Sequence, residues 1–152
     1  MSLSLTPANA CAALVAKAPL LFRGVTYRVN STLTYRGVPW RGIGKAQTVL
    51  SYYGGTRSIN CVGTDLARIS VQISNMAILG TNAAAGTVGI ELGFNHRSLH
   101  ALDTVTIDDF PSWGIYFSAN NIILSFYDVT VTGSGRTSNG GVGTAGGLTA
   151  LN

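Results

Sequence analysis

The chain has 152 residues, long enough for one domain with a sizeable core; 46% of them are hydrophobic, 11% are charged, and 19 are glycine. This is too apolar for a disordered chain and too rich in glycine for a helical one. The ten Lys and Arg exceed the six Asp and Glu by four, but they are scattered, and no run approaches the roughly 18 apolar residues of a membrane span, so neither nucleic acid nor membrane is expected as a partner. Residues 7–17, PANACAALVAK, predict the one helix: Pro7 suits the first turn, the Ala-rich run has high propensity, and Pro19 stops it. The opening residues lack a basic stretch and Lys17 interrupts the apolar run, so no signal peptide is expected. Strands then dominate: 22–30, with Val25, Tyr27 and Val29 alternating, followed by 33–35, 47–53, 58–62 and 68–74, each closed by turn residues. Cys11 and Cys61 stand too far apart to define a framework or a metal site, and both are read as small buried hydrophobes.

An internal repeat decides the fold class. Met76, Val105 and Val129 head matching segments 29 and 24 residues apart. Ile90, Ile115 and Val142 head a second set with steps of 25 and 27, and Ile73, Leu102 and Phe126 form a third, three residues before the first. Units of about 25 residues with three short strands of period 2 are the signature of a β-solenoid. The predicted fold is therefore all-β, a right-handed parallel β-helix over residues 1–152. Residues 1–20 form a capping helix, 21–132 the stacked coils, and 133–152 a Gly-rich last coil or tail. Ile90 with Ile115, Leu92 with Phe117, Val105 with Val129 and Ile107 with Val131 face inward; Glu91 with Tyr116 and Thr106 with Thr130 face outward. Asn95 and Asn120 align as an Asn ladder. A β-sandwich is the competing arrangement, since short strands and turns fit it too.

The stretch 10–50 carries an Ala-rich helix, then Gly24-Val25-Thr26-Tyr27, then Arg41-Gly42-Ile43-Gly44-Lys45-Ala46-Gln47-Thr48-Val49-Leu50, of the form R-G-x-G-x-x-x-T-x-L. In this it resembles the start of pectin-lyase-like β-helices, above all phage tailspikes and polysaccharide depolymerases. The two glycines of that segment are expected in a tight turn with positive φ. The segment is not a phosphate-binding loop, because Pro39 and Ala46 stand where that loop needs Gly and Ser or Thr. The resemblance implies a polysaccharide partner, a homotrimer, and a virion-tail or extracellular setting. It leaves open whether the chain cleaves the glycan or is a structural or adhesive solenoid, because the fold hosts both. The open Gly-rich end is expected to be covered by further coils or by a trimer.

Candidate chemistry is sparse. Glycoside hydrolysis generally needs two carboxylates. Glu91, Asp108 and Asp109 are the catalytic candidates, with the Asp pair read first as a turn before Phe110-Pro111. Six acids spread along the chain do not suit Ca²⁺, and no metal or cofactor is expected. His100 is expected level with Val71 and Leu124, as a core or edge residue, and neighbouring His96 is the other potential acid or base. Aromatic faces are the better ligand candidates, since the C–H-rich face of a sugar stacks on them. Glu91, Tyr116 and Trp113 form the expected ligand-binding set, with Trp40, Tyr52 and Tyr53 as further aromatics at strand ends.

Overall fold

The computed structural model describes residues 2–4, 19–35, 37–61, 71–93, 99–118, 123–135 and 142–144. Among them the chain is all-β, with thirteen strands: β1 (Ser2–Ser4), β2 (Leu20–Leu21), β3 (Thr26–Val29), β4 (Leu33–Thr34), β5 (Trp40–Arg41), β6 (Val49–Tyr52), β7 (Arg57–Cys61), β8 (Gln72–Leu79), β9 (Val88–Leu92), β10 (Leu99–Asp108), β11 (Ile115–Phe117), β12 (Ile123–Thr132) and β13 (Val142–Thr144). Every pairing is parallel, and each strand pairs with strands of neighbouring coils rather than with the next strand in sequence. This is a parallel β-solenoid, as the repeat predicts; a sandwich would need antiparallel neighbours. Of the span 1–20 expected as a capping helix, Ser2–Ser4 and Leu20 are strand instead, pairing with β3 and β5, while residues 5–18 lie outside the described residues, as do the Asn95–Asn120 ladder, His96, Cys11 and most of the Gly-rich tail.

Three ladders wrap the core. The first face holds β2, β5 and the leading halves of β8, β10 and β12. The second holds β1, β3, β6 and the trailing halves of β8, β10 and β12. The third is the five-stranded sheet β4-β7-β9-β11-β13. The register agrees with the repeat at each expected pair: Ile90 with Ile115, Leu92 with Phe117, Val105 with Val129, Ile107 with Val131, Glu91 with Tyr116, and Thr106 with Thr130. Within the stack, Leu50, Ile59, Ile78, Ile90, Leu102, Ile107 and Ile115 are fully buried, each touching like residues one rung away. Cys61 is a free, buried core residue whose thiol burial pushes well above its usual pKa.

The corner between the first and second faces explains why the third repeat set precedes the first by three residues. Strict alternation would turn Ile73 and Met76 to opposite sides. Between them Asn75 adopts φ 56°, and Thr104 and Asp128, one and two rungs on, adopt 55° and 48°. This left-handed residue bends each long strand and resets its parity, so that Ile73 and Met76 both face inward. Asn and Asp tolerate that conformation well.

In the preceding coil the same corner carries an insertion. Arg41 and Val49 pair with Ser74 and Ala77, so residues 42–48 of the R-G-x-G-x-x-x-T segment fill a corner that the next coil turns with Asn75 and Met76 alone. Thr48 pins it: its buried hydroxyl accepts from the Ile43 N–H at 3.0 Å and donates to the Arg23 carbonyl at 3.1 Å. The expected positive φ at Gly42 and Gly44 does not occur; among the described residues the positive-φ glycines are 37, 86, 133 and 135. Gly42 is needed for close approach instead. A Cβ there would stand 2.1 Å from the Asn75 carbonyl oxygen, whereas at Gly44 it would meet only the movable end of Gln47, at 2.7 Å. Gly42→Ala is therefore expected to cost about 3 kcal/mol, the upper part of the usual overpacking range, and Gly44→Ala less than about 1 kcal/mol. Urea unfolding of the two variants side by side checks this, and equal midpoints would remove the close-approach explanation.

Candidate functional site

On the first face the ladder places Leu21, Arg41, Ser74, Asp103 and Tyr127 in one outward row, one residue per rung. The alternation that buries Trp40, Ile73 and Leu102 forces these neighbours out. Gln72 and Ala101 form the adjacent outward row. Arg41, Ser74 and Asp103 of the first row and Gln72 and Ala101 of the second, with Pro39 and Asn75, line a groove of about 350 Å³, with Trp40 and Ile73 beneath it; Leu21 and Tyr127 continue the row outside the groove. That volume lies at the small end of ligand clefts.

The groove is polar with one charge of each sign. Arg41 and Asp103 sit two rungs apart, about 10 Å by ladder spacing. Asp103 accepts a hydrogen bond from the Thr104 hydroxyl at 2.9 Å. Tyr127, 72% exposed, continues the row beyond Asp103 and presents the most open aromatic ring among the described residues. The floor is tied to the core: the Gln72 N–H donates to the Tyr35 hydroxyl at 3.0 Å, and burial, against the opposing effect of that bond, raises the Tyr35 phenol to about 12. Trp40, under the groove, packs against Phe22 and Tyr35 with centroids 5.8 and 5.5 Å apart.

The residues expected from sequence to form the site are also placed. Glu91, Tyr116 and Trp113 do come together on the third face. Tyr116 is one rung from Glu91, and its ring stacks on Trp113 with centroids 6.4 Å apart and planes 19° from parallel. The carboxylate of Glu91 is not open to solvent, however: the residue is 5% exposed and forms an ion pair with the guanidinium of Arg57. Asp108 and Asp109 sit where β10 ends. Asp108 accepts from the Thr132 hydroxyl at 2.8 Å, while Asp109 adopts φ 59° at the bend, and its N–H donates to the Thr132 carbonyl at 3.0 Å. Both serve the turn. Trp40 and Tyr52 are core residues, and Tyr53 lies under the guanidinium of Arg28, 4.3 Å from its ring centroid. The backbone of His100 is level with Leu124, as expected. Among the described residues no three His, Cys, Asp or Glu cluster as metal ligands, and no helix is long and apolar enough to cross a membrane.

The groove residues were within reach of the repeat. Its third set, Ile73, Leu102 and Phe126, fixes Ser74, Asp103 and Tyr127 as outward neighbours. What hid the row was Arg41, because two residues flanked by Pro39 and Gly42 give Trp40–Arg41 no visible period.

Compared with protein-family models, curated proteins and solved structures, the chain matches none.

Proposed function

We propose that the chain binds a polysaccharide along the first face of the solenoid. The observation that carries this reading is the row Arg41, Ser74, Asp103, which runs through the groove parallel to the solenoid axis and continues outside it to Tyr127. A stacked ladder repeats every ~4.8 Å, so it offers an extended chain of similar units one polar side chain per step. Arg41 and the amides of Gln72 and Asn75 donate to hydroxyls or acidic substituents, Asp103 accepts, and the exposed Tyr127 ring takes the apolar face of a sugar. The resemblance of residues 10–50 to tailspikes and depolymerases supports a bacterial surface glycan as the ligand class.

The groove favours binding over cleavage. Among the described residues Asp103 is the single carboxylate lining it, while glycoside hydrolysis generally uses two. This agrees with the second reading, a structural or adhesive solenoid, as far as catalysis goes, and the two part on whether a glycan is held at all. Titration against bacterial capsular and O-antigen polysaccharides separates them. The intact chain is expected to bind one of them without releasing reducing ends. Arg41→Ala and Tyr127→Ala should each weaken binding about tenfold, or about 1.4 kcal/mol. Thr106→Ala, on the second face, should leave it unchanged. Binding that survives both of these substitutions would move the site to another face, and no binding at all would leave the structural reading.

A further inference from the structure

The groove holds two opposite charges that do not neutralise each other. Arg41, Ser74 and Asp103 follow on successive rungs, so a guanidinium and a carboxylate rise about 10 Å apart at the backbone, on either side of a short neutral side chain. Both charged residues are exposed. Elsewhere among the described residues opposite charges do meet: Lys45 Nζ reaches Asp128 at 2.7 Å, and Arg57 holds Glu91. Among the same residues neither Arg41 nor Asp103 has an ion-pair partner.

Each charge has neighbours that suit a different ligand group. Arg41 shares the groove wall with the amides of Gln72 and Asn75, and its guanidinium can grip a carboxylate or phosphate with two parallel N–H bonds. Asp103 accepts from the Thr104 hydroxyl at 2.9 Å, one of the several bonds a carboxylate can accept, and the next rung sets the exposed Tyr127 ring beside it. A carboxylate next to an aromatic face suits an ammonium group, which the first binds by charge-assisted hydrogen bonds and the second by its ring quadrupole. The pair also discriminates by repulsion. A glycan with an acid on every unit would place one acid on Arg41 and another against Asp103. A glycan with an amine on every unit would meet Arg41 in the same way, and a neutral one would form only the weaker bonds of its hydroxyls.

Resting on the reading of this groove as a glycan site, we infer that its ligand class is zwitterionic: a polysaccharide carrying both acidic groups and free amino groups, with an acid held at Arg41 and an ammonium at Asp103 and Tyr127. The two charges then act as specificity determinants along the row, and Ser74 spaces them.

Titration of the full chain with soluble glycans that share one β-1,4-linked backbone and differ in charge tests this. Hydroxyethylcellulose is neutral, carboxymethylcellulose acidic, chitosan basic, and O-carboxymethyl chitosan carries both signs. At mildly acidic pH, where the amines are protonated and the carboxylates ionised, the wild type should bind O-carboxymethyl chitosan at least about tenfold more tightly than any of the others. Asp103→Asn should erase that preference by strengthening binding of carboxymethylcellulose, and Arg41→Gln by strengthening binding of chitosan. The exchange variant, Arg41→Asp with Asp103→Arg, should recover it, because both charges are present again and the glycan can lie in the opposite direction. A wild-type chain that binds these glycans alike, or prefers one of a single charge sign, overturns the zwitterionic assignment and leaves the glycan reading standing. Binding to none of them also overturns the assignment, and the capsular and O-antigen polysaccharides then decide the glycan reading separately. A folded exchange variant without the preference overturns the assignment as well. Should circular dichroism show that a variant is unfolded, the ranking of the glycans by the wild type alone decides.

Discussion

Phe110→Ala will cost about 3–5 kcal/mol, the range for truncating a fully buried aromatic, and it will strip the chain of a large part of the 5–15 kcal/mol that holds a typical domain folded. Phe110 is fully buried just after the bend that ends β10. Its ring lies in a slot that exists because two neighbours lack side chains: a Cβ on Gly80 would be 2.6 Å from the ring, and one on Gly89 3.0 Å from its Cδ2. The slot cannot collapse around an alanine, because Gly80 and Gly89 are held by backbone hydrogen bonds to Asp108 at 2.8 Å and Trp113 at 2.9 Å. The cavity term therefore adds to the lost transfer energy. Gly80→Val should be as damaging for the opposite reason. Urea denaturation measures both, and a loss under about 1 kcal/mol for Phe110→Ala would mean the slot does collapse.

The same region shows what could and could not be read from the sequence. Alternation and repeat spacing match the inward rows from Ile73 to Phe117, because in a parallel stack each burial choice is copied at the next rung; Phe126 and Val142 keep the register but are exposed. Residues where the backbone leaves the strand conformation broke that reading. At Asn75, Thr104 and Asp128 a left-handed residue resets parity, which the repeat registered only as an odd offset of three. At Gly89 the missing side chain points toward Ile107 and Phe110 although Ile90 beside it also faces in, so the strand is irregular there and Arg57 and Val88 turn outward. The same irregularity brings Arg57 to Glu91, which no pattern of period 2 predicts. The site was thus legible as a row of outward positions, while the choice among three faces depended on which outward side chains their neighbours cover.

That covering has a measurable consequence at Glu91. Arg57→Ala will leave a carboxylate in a 7%-exposed position without its cation, and the expected loss is about 3 kcal/mol. This is the low end for a broken buried pair, because the Arg57 side chain keeps 43% of its surface in solvent and the pair is partly screened. Glu91→Gln removes the charge while keeping the shape, and should cost about 1 kcal/mol. In the double variant no charge is stranded, so the combined loss should fall below that of Arg57→Ala alone, which is a coupling that additive effects cannot produce. Thermal and urea unfolding of the four proteins close the cycle. Purely additive losses would show that Glu91 reaches solvent. Its carboxylate would then be available to a ligand beside the stacked rings of Trp113 and Tyr116, and the third face would replace the groove as the place to look for the glycan. The coupled outcome instead makes Glu91 a structural anchor, its charge taken up by Arg57 from the neighbouring rung, and leaves Arg41, Asp103 and Tyr127 as the accessible polar row.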